Sequence, residues 1–242
     1  MPFLKQICND STSCASYILG CSSCGESVVV DPKEDVSEYL DIAEMKGTKI
    51  VHILETHVHA DHISGARKLS KISGAPVHLH ESANVKFDHE ILRDNQLLDF
   101  GNARLKVIST PGHTPESVSF LYIDKKRSET PWAVLTGDTL FVGDVGRLDL
   151  EGAGTFEQMY DSIFNKLLSL PDYLEVYPAH YAGSICGKGM SSKTMSTIGF
   201  ERRFNTALQP ATKAEFVEYL AANAPKPFPE ATKIKSINSG FE

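Results

Sequence analysis

A chain of 242 residues, 41% of them hydrophobic, has apolar side chains enough for a sizeable core and fits one large domain or two small ones. Its formal charge of −7 and its lack of a long basic run argue against a nucleic-acid binder. The start, MPFLKQICND, has no apolar signal region, no stretch is long enough to span a bilayer, and five cysteines do not form a secreted disulfide framework, so the expected compartment is the cytoplasm.

Short apolar runs at 16–19 (SYIL) and 27–31 (SVVVD), separated by a Gly-containing segment, predict a hairpin. The spacing of Val36, Leu40 and Ala43 predicts a helix over 35–46, and KIVHILE (49–55) reads as a buried strand. Ile63, Ala66, Leu69 and Ile72 share one face of a helix predicted over 63–74. Strands follow near 76–80, 105–109, 118–123 and 132–138. Thr155 with Gln158 makes a capping box ahead of FEQMYDSIFNKLLSL, and LEVYPA (174–179) is a further strand. Thr212 with Glu215 opens a second capped helix. This divides the chain into a main α/β domain over 1–225 and a proline-rich, polar extension over 226–242 with little core of its own.

The segment THVHADHISG (56–65) crowds three of the nine histidines and an aspartate into six positions, between a strand and a helix. Ligands of open α/β sheets gather at such strand ends. Extended residues two apart point the same way, so His57 and His59 can aim at one point, with Asp61 and His62 past the turn aiming at a neighbouring one. Imidazole and carboxylate suit Zn, Fe or Mn. His113 in STPGHTPE, Asp138 in VLTGDTLF and His180 in EVYPAHYAG each stand just beyond a strand. Singly each reads as a turn residue. Together they make seven candidate ligands at four strand ends.

The pattern H-x-H-x-D-H followed by His113, Asp138 and His180 resembles the metallo-β-lactamase superfamily. The resemblance implies an αββα sandwich: two facing mixed β-sheets, helices outside, and metal at one edge. GDTLFVGDVGRLDL, PAHYAGSICGKGMSSKT and STIGFERRFNTALQ resemble the persulfide dioxygenase branch, in particular the metal domain of those fused to rhodanese domains. That branch implies one Fe(2+) per chain held by His57, His113 and Asp138, with His59, Asp61, His62 and His180 around it. The implied reaction oxidises a low-molecular-weight thiol persulfide with O2 to sulfite and thiol. The alternative is a binuclear zinc thioester hydrolase of glyoxalase II type. In it His57, His59 and His113 hold one Zn(2+), Asp61, His62 and His180 a second, and Asp138 bridges them. A third reading is a non-catalytic metal-binding partner of a sulfurtransferase.

Arg147, Tyr181, Cys186 and Arg202 are the substrate-binding candidates; the alternative for Arg147 is an ion pair with Asp149, and for Arg202 a helix cap. The glycine-rich loop over 181–195 is expected to wall the substrate pocket, with Cys186 either relaying a persulfide sulfur or filling space. Cys21 and Cys24 read as incidental thiols of the hairpin turn. The 226–242 segment resembles the interdomain linker of fused relatives, and a separate rhodanese-type sulfurtransferase is the partner this resemblance implies for it. No nucleic acid or membrane partner is expected, and a homo-oligomer stays open.

Overall fold

The computed structural model describes residues 1–210, 212–224 and 228–241. Two six-stranded sheets lie face to face. The first has strand order β1 (Pro2–Asn9), β2 (Cys14–Cys21), β3 (Glu26–Val30), β4 (Lys49–Leu54), β5 (Val77–His80), β6 (Glu90–Leu92). The second runs β12 (Ser196–Thr197), β11 (Glu175–Pro178), β10 (Ala133–Gly137), β9 (Val118–Asp124), β8 (Ala103–Ser109), β7 (Leu97–Phe100). Each mixes parallel and antiparallel pairs: β3–β4, β4–β5, β5–β6 and β10–β11 are parallel, and the rest are antiparallel. The predicted hairpin is β2–β3, paired from Tyr17 with Val30 to Cys21 with Glu26.

Period-two alternation sorts the side chains into three layers. Tyr17, Leu19, Val28, Val30 and Leu54 meet Phe100, Leu105, Phe120, Tyr122 and Leu135 between the sheets. The intervening Ile18, Val29 and Ile53 pack outward against α1 (Ser37–Lys46) and α2 (Ala66–Ser73). Leu121, Val134 and Val176 pack outward on the other sheet, under α3 (Phe156–Tyr160), α4 (Ile198–Phe204) and α5 (Lys213–Ala222). Strands buried on both faces read as continuous apolar runs, which is why SVVV carries no visible alternation. Phe120 is fully buried between the sheets. Phe120→Ala is expected to cost about 3–5 kcal/mol in a denaturant titration.

Several expectations change. Helix α2 starts at Ala66, so Ile63 stays in the loop, and Ile72 is 54% exposed; only Ala66 and Leu69 face the core. The capping box at Thr155 is formed, but after Tyr160 the helix widens into a π-helical turn (Asp161–Lys166) and ends in a 3₁₀ turn (Leu167–Ser169). The 225/226 boundary lies outside the described residues; in the tail the structure adds a helix, α6 (Ala231–Ser239), which buries only Ala231, Asn238 and Ser239 and docks against the loop after β4. Among the described residues no helix is long and apolar enough to cross a membrane.

Candidate metal centre

All seven candidate ligands fall at one edge of the sandwich, on loops leaving β4, β8, β10 and β11. His57, His113 and Asp138 are buried, with one ligand atom from each within 4.8 Å of the others. His113 Nε2 is 3.5 Å and His57 Nε2 is 3.9 Å from Asp138 Oδ2.

Each ligand atom is presented by a partner behind it. Thr56 donates its hydroxyl to Asp31 Oδ2 (2.9 Å), so Thr56 Oγ1 accepts from His57 Nδ1–H (3.0 Å), and the His57 Nε2 lone pair faces inward. His113 Nδ1 donates to the Arg147 carbonyl (2.8 Å), which sets the same tautomer. Asp138 follows a register shift between Leu135 and Gly137 that turns the chain end inward. Its Oδ1 accepts from His180 Nδ1 (2.6 Å), and Oδ2 is left facing the two imidazoles. Gly146 lies against this point: a Cβ there would run into the Asp138 carbonyl. His57 Nε2 and Asp138 Oδ2 are buried without a hydrogen-bond partner among the described residues. Polar atoms left in that state are costly unless a ligand takes them. Two imidazoles and one carboxylate oxygen converging here fit a divalent cation.

The other four candidates group differently. His59 Nε2 sits 3.0 Å from Glu55 Oε2 and 3.2 Å from Asp31 Oδ1. His180 Nε2 is 2.8 Å from Asp61 Oδ2, and His62 Nδ1 is 3.0 Å from the same oxygen. Cys14 Sγ completes this cluster, 3.2 Å from His180 Nε2 and 3.3 Å from Asp61 Oδ2. Burial alone would push the Asp138 carboxyl up, but the imidazoles of His180, His57 and His113 outweigh it and hold the group well below the usual carboxylate range. Burial would lower His180, yet the carboxylates of Asp138 and Asp61 raise it well above an ordinary histidine. Both imidazole nitrogens of His180 thus face carboxylate oxygens.

Asp31, Glu55 and Cys14 are absent from the expected site. The signal for Asp31 was present: a carboxylate just past the run SVVV, as Asp138 stands past VLTG. Asp31 holds φ at 51°, a strained backbone for a non-glycine residue. Cys14 had no local signal, because a backbone bridge between Cys14 and His180 joins the two sheets there.

The substrate-binding candidates fare unevenly. The Arg147 guanidinium makes the bidentate pair with Asp149 (2.8 and 2.7 Å) and donates to the Ile185 carbonyl, while its backbone carbonyl orients His113. Tyr181 donates its hydroxyl to Asp10 (2.9 Å). Cys186 is buried against His180 and Asp138, and burial pushes its thiol up. Arg202 is not at the site: it pairs with Asp172 and donates to the Leu170 carbonyl, tying α4 to the 168–172 turn. Arg202→Ala is expected to leave kcat/KM within about twofold and to cost at most about 1 kcal/mol of stability, since the pair is exposed. Cys21 and Cys24, with sulfurs 3.0 Å apart, lie at the end of β2 opposite Cys14.

A cavity of about 640 Å³ opens beside His113. Its walls are the loop over 150–153, the segment from His113 to Glu116, and α6. The loop over 181–195, expected to wall the pocket, contributes no residue to it. Gly187 and Lys188 instead line a separate cavity of about 320 Å³ with Asp144 and Leu220.

The metallo-beta-lactamase superfamily model matches residues 10–180. Bovine "Persulfide dioxygenase ETHE1, mitochondrial" is 31% identical over 228 residues, covering 93% of this chain and 83% of that protein. The crystal structure of a metallo-beta-lactamase from Staphylococcus aureus subsp. aureus COL superposes with a TM-score of 0.89 at 35% identity, covering 98% of this chain and 72% of that one. That of ETHE1 from Myxococcus xanthus superposes with a TM-score of 0.85 at 27% identity, covering 99% and 100%.

Proposed function

Because the chain belongs to the metallo-beta-lactamase superfamily, in the branch of the persulfide dioxygenases, we propose that it is an iron-dependent persulfide dioxygenase. The reaction is R–S–S⁻ + O2 + H2O → RSH + SO3²⁻ + H⁺. One observation carries the reading: ligand atoms of His57, His113 and Asp138 converge on one point, while His59 falls in a different group, with Asp31 and Glu55. Two histidines and one carboxylate on a shared point are the donor set of non-haem iron oxygenases.

His57 and His113 would hold Fe(2+) through Nε2, and Asp138 through Oδ2. Bound ferrous iron supplies the electron chemistry that makes O2 reactive toward sulfur. The protein's own part is positional and protic. Thr56 and the Arg147 carbonyl fix the two imidazole tautomers. His180 holds Asp138 in place and is itself oriented by Asp61. The cavity beside His113 receives the organic part of the persulfide and shields the sulfur from bulk water, so that the two reactants meet in one orientation.

The test is metal analysis of protein purified without added metal, together with oxygen uptake on glutathione persulfide. The expected result is one iron per chain and sulfite formation. Two zincs per chain with thioester hydrolysis would overturn the assignment.

A further inference from the structure

We propose that α6 forms the wall of the substrate cavity that selects the organic group, and that Lys235 on it pairs with a carboxylate or phosphate at the end of the persulfide remote from sulfur. This rests on the dioxygenase reading for the identity of the sulfur group, but not for the binding of the anion.

Three observations lead here. First, the cavity joins the metal centre to the tail: His113 and Thr114 line one end, and Ala231, Lys235 and Ser239 another. A persulfide with its sulfur near His113 therefore extends its organic group toward α6. Second, the wall is built rather than incidental. Thr232 donates to Glu151 Oε2 (3.2 Å), closing the tail onto the opposite loop. The Lys86 N–H donates to the Ser239 carbonyl (2.8 Å), and Arg67 Nη2 to the Ile237 carbonyl (2.7 Å), so the C-terminal end of α6 is held as Thr232 holds the N-terminal end. Third, the charges in the cavity are unevenly satisfied. Glu116 accepts from the Val58 N–H (3.2 Å) and Glu151 from Thr232. Lys235 lines the same space, and among the described residues it has no ion-pair or hydrogen-bond partner. Its Nζ reaches toward Gly152, 3.4 Å from where a Cβ would sit, so a glycine there leaves room for the ammonium.

A cation beside a low-dielectric wall binds an anion more strongly than one in open water. About 640 Å³ is ample for a tripeptide-sized group and much larger than a persulfide sulfur pair needs. Carboxylate and phosphate share the chemistry Lys235 offers, and substrate choice separates them.

The experiment compares wild type, Lys235→Ala, Lys235→Arg and Lys235→Glu in the iron-loaded protein. Substrates are glutathione persulfide (carboxylate), coenzyme A persulfide (phosphate) and 2-hydroxyethyl persulfide, whose organic group is neutral. Lys235→Ala is expected to lower kcat/KM for one anionic substrate about tenfold, through KM, with Lys235→Glu lower still. Lys235→Arg should retain most of it, and the neutral substrate should change less than twofold. The anion whose KM responds names the source. A second readout needs no turnover: calorimetric binding of S-methylglutathione and of coenzyme A to the metal-free protein, with and without Lys235. Equal losses on neutral and anionic substrates, or no loss on any, would overturn the proposal while the dioxygenase reading stands. Lys235-dependent anion binding in a protein that oxidises no persulfide would uphold the site and sink the dioxygenase reading.

Discussion

Asp138→Ala, His57→Ala and His113→Ala are each expected to strip most of the bound iron and all measurable oxygen uptake, whereas His180→Ala keeps the iron. The asymmetry follows from which atoms lack partners. His57 Nε2 and Asp138 Oδ2 are buried and unsatisfied among the described residues, so removing either deletes an atom that a bound cation would take. His180 spends both nitrogens on carboxylates, at 2.6 Å to Asp138 and 2.8 Å to Asp61. Its loss frees Asp138 to turn and should weaken iron binding about tenfold, within the range for groups that orient a ligand. Iron content after desalting and oxygen consumption measure both. If His180→Ala loses metal as completely as His57→Ala, a binuclear site sharing Asp138 replaces the single-iron assignment.

Asn238→Ala is the second large effect, although the residue lies in the tail, about 180 positions from the loop it supports. Its side chain donates to the carbonyls of His59 and His62 (2.8 Å each) and accepts from the Ser64 N–H (3.0 Å). One buried amide thus closes the 59–64 backbone into a fixed arc. Alanine leaves three backbone groups without their partner, at a cost of about 2–3 kcal/mol, and lowers the Tm by roughly 5–10 °C. Iron affinity should fall about tenfold, since the loop that orients the first ligand loosens. Thermal melts of metal-free protein separate the folding cost from the metal effect. An unchanged iron affinity would mean that the arc is held by α2 and β4 without the tail. Truncation before Ala231 should reproduce both losses and also open the cavity wall.

The sequence by itself determined seven candidate residues at strand ends and, through the family resemblance they carry, the layered architecture. Strand-end position is a local property: KIVHILE, VLTG and LEVYP are apolar because they are buried between layers, and the polar residue that follows each must point out of the sheet edge. Local rules also placed both capping boxes, because Thr155 with Gln158 and Thr212 with Glu215 satisfy helix N–H groups within four residues. What only the tertiary structure decided are contacts between segments distant in the chain. The sorting of the seven candidates into His57 with His113 and Asp138, Asp61 with His62 and His180, and His59 with Asp31 and Glu55 depends on contacts such as Thr56 behind His57, the Arg147 carbonyl behind His113 and Asp138 against His180. Cys14 meets His180 because the two sheets bridge there, and Arg202 is tied to Asp172 and the Leu170 carbonyl. The tail reads as a polar extension, since α6 buries only Ala231, Asn238 and Ser239 and shows no apolar stripe. Its place is set by hydrogen bonds to backbone carbonyls, which leave no hydrophobic period in the sequence.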